Sequence, residues 1–318
     1  IKTEKVEFNS SGKCTTESGI EFYQVSNKLE KGKAQLGRIQ QAFADMYGLK
    51  EPMDTWKVYL QKEIVEHSDE GFLLNEGGSG RIVNNKLVFE IELTQKVPIW
   101  LRLESNGKPG HASSPNETSS ITKLLDGLQY LTNNPFPPKI IASVEEYFNG
   151  LSNLIDEEQS EQYRDIKNAV KKDDFIKALQ KRSPFHHSLT RDTCSITRLG
   201  GSSKINVVPA LAWAEIDCRI LPDQPAEEFI SKIKKIMEPY GINVKTLMAF
   251  TPAASSTETE LYNDIKETLL ELYPESHIIP RVTTGFTDSH FTRDIGINSY
   301  GFNPIIIPLS EFRRIHGN

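Results

Sequence analysis

Between residues 97 and 250 the apolar periodicity reads strand, helix, strand, strand, helix, strand, once a polar helical stretch at about 140–181 is set aside. Strands and helices in a different arrangement flank this region on both sides. Together these two observations predict an α/β domain, incomplete in this chain, interrupted by a ferredoxin-like α+β domain in which two helices cover one face of a sheet. The expected boundaries are 1–96 for the front of the α/β domain, in an atypical or truncated form, 97–250 for the inserted domain, and 251–318 for the remainder.

Residues 1–32 are polar without a clear period. Residues 33–48 and 54–66 read as helices, the first with Leu36, Ile39, Phe43, Met46 and Tyr47 on one side and Gly48 near its C-cap. Residues 71–80 form a short apolar strand that stops at acid and glycine, and 86–94 alternate in part, as a half-buried strand does. A strand at 99–105 leads into a Gly, Pro and Ser-rich loop around His111, then a helix at 119–132 and a break at Asn134-Pro135-Phe136-Pro137-Pro138. Strands at 193–199 and 210–221, a helix at 226–239 with Phe229, Ile233 and Ile236 on one face, and a strand at 242–250 complete the inserted domain. A helix (257–272), a buried strand (277–282), a Gly-rich loop with a short helix or turn, and a strand ending at Tyr300-Gly301-Phe302 follow.

The composition, 37% hydrophobic and 25% charged over 318 residues, is that of an ordinary globular protein. A formal net charge of -6 and no sustained basic block argue against nucleic acid as a partner. No apolar run reaches the roughly 20 residues of a membrane span. Cys14, Cys194 and Cys218 form no C-x-x-C pair, so neither a disulfide framework nor a thiolate zinc site is expected. The compartment stays open, with the cytoplasm slightly favoured. His186-His187 reads as a solvent-exposed pair in a Ser-Pro-flanked loop, and His277 as a core or edge residue.

The P-loop, G-x-G-x-x-G, G-x-S-x-G and H-E-x-x-H signatures are absent. A dispersed series remains: Glu76-Gly77-Gly78; Gly107-Lys-Pro-Gly-His111-Ala-Ser113; Gly201-Ser-Ser-Lys-Ile-Asn206-Val-Val-Pro209; Asp217-Cys-Arg219-Ile-Leu-Pro222; Gly285-Phe-Thr-Asp-Ser289; Tyr300-Gly301-Phe302; and Ile315-His316-Gly317. In that order it resembles the zinc-dependent M20 metallopeptidase family, nearest its aminoacylase and carboxypeptidase-S-like branch, over residues 71–318.

The resemblance implies a catalytic α/β domain, a ferredoxin-like lid that forms a homodimer, and two zinc ions per active site. Glu76 and His316 match metal ligands, with Asn75 a weaker neighbour, and carboxylate and imidazole both suit Zn²⁺. His111 matches a lid histidine that stabilises the oxyanion in the partner subunit's site. Asn206 matches a polar lid residue near the same oxyanion, Arg219 the arginine that grips the substrate carboxylate, and Gly301 the loop lining the substrate pocket, with Asp288 and Ser289 on the same wall. The implied reaction is metal-assisted hydrolysis of an amide bond in an N-acyl amino acid or small peptide with a free carboxylate.

The family's earlier H-x-D strand end, bridging aspartate and Glu-Glu pair have no convincing copy in residues 1–70; His67-Ser68-Asp69 fits H-x-D only as letters, since it follows a predicted helix. Two readings therefore stand: a zinc amidohydrolase, whose front end is incomplete or replaced in this polypeptide, and a non-catalytic dimerisation or binding module derived from one. A metal-free carboxylate binder built on Arg219 is a weaker third.

Overall fold

The computed structural model describes residues 13–15, 21–23, 72–294 and 296–306. The helices expected at 33–48 and 54–66, His67, Asp69 and His316 lie outside the described residues. In chain order the strands and helices are β1 Lys13–Thr15, β2 Glu21–Tyr23, β3 Phe72–Val83, β4 Lys86–Gln95, β5 Val97–Asn106, β6 Gly110–His111, α1 Ser120–Asn133, α2 Ala142–Ser152, α3 Glu157–Arg164, α4 Ile166–Ala169, α5 Asp173–Arg182, α6 Pro184–Leu189, β7 Thr193–Gly200, β8 Val207–Val208, β9 Leu211–Ile220, α7 Ala226–Met237, β10 Ile242–Ala249, α8 Glu260–Leu272, β11 His277–Thr283, α9 Ser289–Asp294 and β12 Asn298–Ile306. No described helix is long and apolar enough to cross a membrane.

The chain divides into two compact units, residues 1–73 with 291–299, and residues 74–290 with 300–318. In the first, β1 pairs antiparallel with β2, placing Cys14 opposite Phe22. The Arg293 guanidinium donates to the Ser299 carbonyl through Nε at 3.0 Å and Nη2 at 2.6 Å, closing the turn that contains Gly296.

The second unit holds two four-stranded sheets. One has the order β11-β4-β12-β3, with β3 also paired to β4. Strand β3 does not stop at Glu76 as its sequence suggests. It continues through the glycines to Val83 and reverses at Asn84 and Asn85, whose φ values of 45° and 62° suit a two-residue hairpin turn. The glycines serve close strand approach rather than chain reversal.

Strand β4 also differs from expectation, because both of its faces are covered. Phe89, Ile91 and Leu93 pack with Tyr262, Ile265 and Leu269 of α8. Val88 packs, with Ile279 and Val282 of β11, against Val144, Tyr147, Phe148 and Leu151 of α2 and Tyr163 of α3. The helical insert, although it falls in sequence inside the 97–250 segment, lies on this sheet. Alternation is read as half burial because polar residues ordinarily face water; here Glu90 faces helices.

Glu90, 2% exposed, accepts from Arg81 at 2.7 Å, Arg281 at 2.8 Å and the Tyr147 hydroxyl at 3.2 Å. Burial pushes its carboxyl pKa up, but Arg281 and Arg81 outweigh burial and hold it below the ordinary value. The network continues from Tyr147 to His186 Nε2 at 3.3 Å, and from His186 Nδ1 to the Tyr163 hydroxyl at 3.1 Å. His186 is thus not a solvated loop residue. Ser183 caps α6 through the His186 N–H, and the imidazole enters a pocket of Tyr147, Phe148, Tyr163 and Phe185.

The second sheet has the order β10-β5-β9-β7, antiparallel throughout. That is the ferredoxin-like arrangement the sequence predicts. Buried Leu124, Leu128 and Leu131 of α1 and Phe229, Ile233 and Met237 of α7 lie with the buried side of the sheet, Leu101, Leu103, Ala214 and Ile216 among its residues. Cys194 and Cys218, opposite each other in β7 and β9, form a disulfide, contrary to the cysteine spacing argument. Only the fold brings two distant cysteines into register. The open face is managed by charge. Arg198, Glu215, Arg102, Glu104 and Lys245 form an alternating chain of ion pairs at 2.7–3.1 Å across all four strands, and Arg102 covers the Trp213 ring at 4.0 Å.

Burial lowers the His186 pKa to about 4, so the folded protein keeps it neutral. An unfolded histidine takes up its proton near pH ~6.5, so between there and about pH 4 the unfolded chain holds more protons and stability falls with pH. Thermal unfolding should show this loss on acidification, and His186→Phe should flatten the slope across that window. An unchanged slope would remove His186 as its source.

Candidate active site

Two strands of the first sheet bring three of the sequence-named positions together. Asn75 and Glu76 lie on β3, and Gly301 lies on β12 opposite Glu92 of β4. The Glu76 side is exposed, whereas Gly301 is buried. Asn75 donates from its amide to the Ser289 hydroxyl at 3.2 Å, so the 285–289 loop and the 75–78 segment share one edge.

Beneath them sits a residue that sequence reading missed. Glu92 is fully buried, with the Thr287 hydroxyl at 3.4 Å. A Cβ on Gly77 would lie 2.3 Å from Glu92 Oε2, and one on Gly301 would lie 2.1 Å from it and 2.5 Å from the Glu76 carbonyl oxygen. Gly77 also has φ 147°, a conformation that disfavours side chains. The two glycines are therefore the floor over a buried carboxylate. Gln95 holds the neighbouring loop, accepting from the Thr287 N–H at 2.9 Å and its hydroxyl at 3.0 Å. His290 is buried against Phe250 and Phe286 at the same loop's end. The signal for Glu92 was its parity with Glu90 along β4, which reads as a solvent face without the fold.

His111 and Asn206 are brought together on a separate two-stranded ribbon, β6 with β8, where His111 pairs with Val207 and the Ala112 N–H donates to the Asn206 carbonyl at 3.0 Å. The Ser113 N–H donates to His111 Nδ1 at 3.2 Å. Nδ1 is thereby the acceptor, and the neutral ring carries its proton on Nε2, on an exposed side chain. The ribbon answers why a histidine stands in so loop-like a segment: strand pairing, not the loop alone, fixes its direction.

Arg219 is elsewhere. It lies on the open face of β9 opposite Pro98, next to the passage from β4 to β5, whereas Leu211 at the other end of β9 adjoins the ribbon. At the usual strand rise, about 25 Å separate the two ends. Asp217 grips the Arg219 guanidinium at both Nε (2.8 Å) and Nη2 (3.0 Å), leaving Nη1 buried without a hydrogen-bond partner. One chain thus does not bring His111 and Asn206 to Arg219.

Among the described residues no group of three or more His, Cys, Asp or Glu side chains stands together as a metal site. Glu76 alone does not make a zinc centre, and no step below passes through one.

Gly301→Ala should lower the free energy of unfolding by about 2–3 kcal/mol, because the new methyl meets both a buried carboxylate and a backbone oxygen. Urea unfolding measures this, and an unperturbed midpoint would contradict the close approach.

Residues 93–245 match the M20 peptidase dimerisation domain. The chain is 28% identical over 262 residues to N-fatty-acyl-amino acid synthase/hydrolase PM20D1 of Mus musculus, covering 77% of this chain and 50% of that protein. It is 25% identical over 236 residues to probable carboxypeptidase S-like 2 of Dictyostelium discoideum, covering 73% and 44%. It is 27% identical over 244 residues to aminoacylase-1 of Mus musculus, covering 74% and 48%. The chain spans about half the length of these curated relatives. Residues 93–245 thus carry a peptidase dimerisation domain of the M20 type, and the chain as a whole is similar to aminoacylase and carboxypeptidase-S-like proteins.

Proposed function

We propose that the chain belongs to an enzyme that hydrolyses the amide bond of N-acyl amino acids or small peptides bearing a free carboxylate. The relatives' names support that substrate class. The observation that carries the reading is the state of Arg219: Asp217 holds the guanidinium plane through two donors, and the third nitrogen is buried and unpartnered. A substrate carboxylate reaching Nη1 gains a charge-assisted hydrogen bond to a group already oriented.

In this reading His111 donates from Nε2 to the oxyanion, with Asn206 beside it, and both come from the second subunit because they lie at the far end of the lid. Gly301 and Gly77 let β12 and β3 close over Glu92, and in this reading the two glycines form the floor of the substrate pocket. Metal dependence, and two zinc ions with Glu76 and His316 as ligands, are part of the proposal. So are the domain limits 1–96, 97–250 and 251–318.

The homodimer is proposed to form through β7, an edge strand of the lid sheet. Its flank is apolar: Leu199 is 59% exposed, Ile205 fully exposed and Leu125 of α1 52% exposed. Ile121 lies beside Gly201, where β7 ends. An unpaired edge with apolar neighbours invites a second strand.

Purified chain supplied with zinc should release amino acid from N-acetyl amino acids. Arg219→Lys should reduce kcat/KM by roughly 10²-fold, mainly through KM, because lysine cannot keep the bidentate hold on Asp217 while offering a third donor. Absence of turnover from zinc-supplied wild type would sink the hydrolase reading and favour the binding module. Leu125→Asp with Leu199→Asp should convert a dimer to a monomer in light scattering, and an unchanged mass would place the interface elsewhere.

A further inference from the structure

We propose that Lys96 is a positioning residue at the junction of the two sheets, its ammonium pinning the start of β7 and, through Thr193, the end of β9 that carries Arg219. The significance of Arg219 rests on the function proposed above; the clamp itself does not.

Lys96 is the single residue between the end of β4 at Gln95 and the start of β5 at Val97. It is 0% exposed. Its N–H donates to the Thr283 carbonyl at 2.8 Å, at the end of β11, which ties it to the first sheet. Its Nζ donates to the Ser188 carbonyl at 2.8 Å, the Arg191 carbonyl at 2.8 Å and the Thr193 hydroxyl at 3.1 Å. These acceptors belong to the end of α6, the connection after it and the first residue of β7. Thr193 in turn donates to the Arg219 carbonyl at 3.4 Å and stands opposite Arg219 in the ladder. One residue thus joins the first sheet through its backbone N–H and, through its side chain, the helical insert, the start of β7 and, by way of Thr193, the end of β9 that carries Arg219.

Burying an ammonium is costly, and an apolar residue would fill the space at less expense unless the hydrogen bonds were needed. Three acceptors match the three hydrogens of an ammonium, and a neutral amine satisfies only two of them. The charged groups facing Nζ are Asp192 and Asp217, which favour the ammonium, and Arg219 and Arg191, which oppose it, with His187 within electrostatic range. Asp192 is itself fixed by the Leu221 N–H and the Gln224 amide, both at 2.8 Å. Burial, the largest influence, draws the Lys96 pKa down to about 7. Raising the pH through that value removes the third donated hydrogen and loosens residues 188–193. The global sign is opposite: an unfolded lysine keeps its proton up to about pH 10.4, so this group adds stability as pH rises from 7. Local loosening without global destabilisation marks a clamp rather than a mere packing residue.

Hydrogen exchange of the full chain, read on peptides covering 188–194 and corrected for intrinsic base catalysis, tests this. Wild type should lose protection there between about pH 6 and about pH 8.5 while the central strand β5 stays protected. Lys96→Met should lose about tenfold in protection in that segment at both pH values. Thr193→Val, which keeps the lysine and removes one acceptor, should show a smaller loss and serves if Lys96→Met fails to fold. Wild-type protection at 188–194 in either variant overturns the clamp. Calorimetric titration with N-acetyl-L-leucine supplies the second arm. Weaker binding by both Lys96→Met and Arg219→Lys supports the positioning role. Binding untouched by Arg219→Lys defeats the carboxylate reading alone and leaves the exchange result to judge Lys96.

Discussion

Strand β4 carries two carboxylates into the middle of its sheet, and a buried carboxylate needs partners or a displaced titration. Glu90 takes Arg81, Arg281 and Tyr147. Those partners draw β3, β11 and α2 onto the strand, and through Tyr147 and His186 they seat the helical insert. Glu92 lies under Gly77 and Gly301, which draws β3 and β12 close where the candidate site begins. The side chains required at the site's surface are thus selected by a requirement one layer below it.

The same run of chain passes directly into the lid. With only Lys96 between β4 and β5, the chain passes from one sheet to the other through one buried residue, and Arg219, opposite Pro98, is the functional candidate nearest to it. The ribbon bearing His111 and Asn206 lies at the other end of β9. That polarity is the geometric basis for proposing a site composed from two subunits, in which one chain would supply the carboxylate grip at its junction and the opposite end of a second lid the oxyanion donor. The open lid face between them carries self-neutralising charge rather than apolar surface, which is why the proposed association is assigned to the β7 edge.

Much of this was legible in the sequence. The lid order and its helices follow from periodicity, because each depends on local pattern; the closeness of His111 and Asn206 was implied only by the family resemblance, and the ribbon that joins them was not foreseen. What was not legible depends on contacts distant in sequence. The strand over residues 71–80 read as stopping at Glu76 and its glycines because glycines punctuate chains, yet β3 runs on to Val83. Glu90 and Glu92 read as a wet face because the covering helices arise some fifty residues later. His186 read as a loop residue until Tyr147 and Tyr163 closed on it. Cys194 and Cys218 became a pair only when β7 and β9 aligned. The motifs named Glu76 and Gly301 but gave no sign of the carboxylate between them.

The central claim is that the working site is shared between two lids. Its most direct test mixes two inactive homodimers, Arg219→Ala and His111→Ala, under conditions that exchange subunits. Each heterodimer then holds one site with a native Arg219 and a native His111. Random exchange predicts recovery to about a quarter of wild-type turnover of an N-acetyl amino acid, from the symmetry of an isologous dimer. No recovery despite demonstrated exchange would contradict the shared site and place both residues, if they act at all, within one chain.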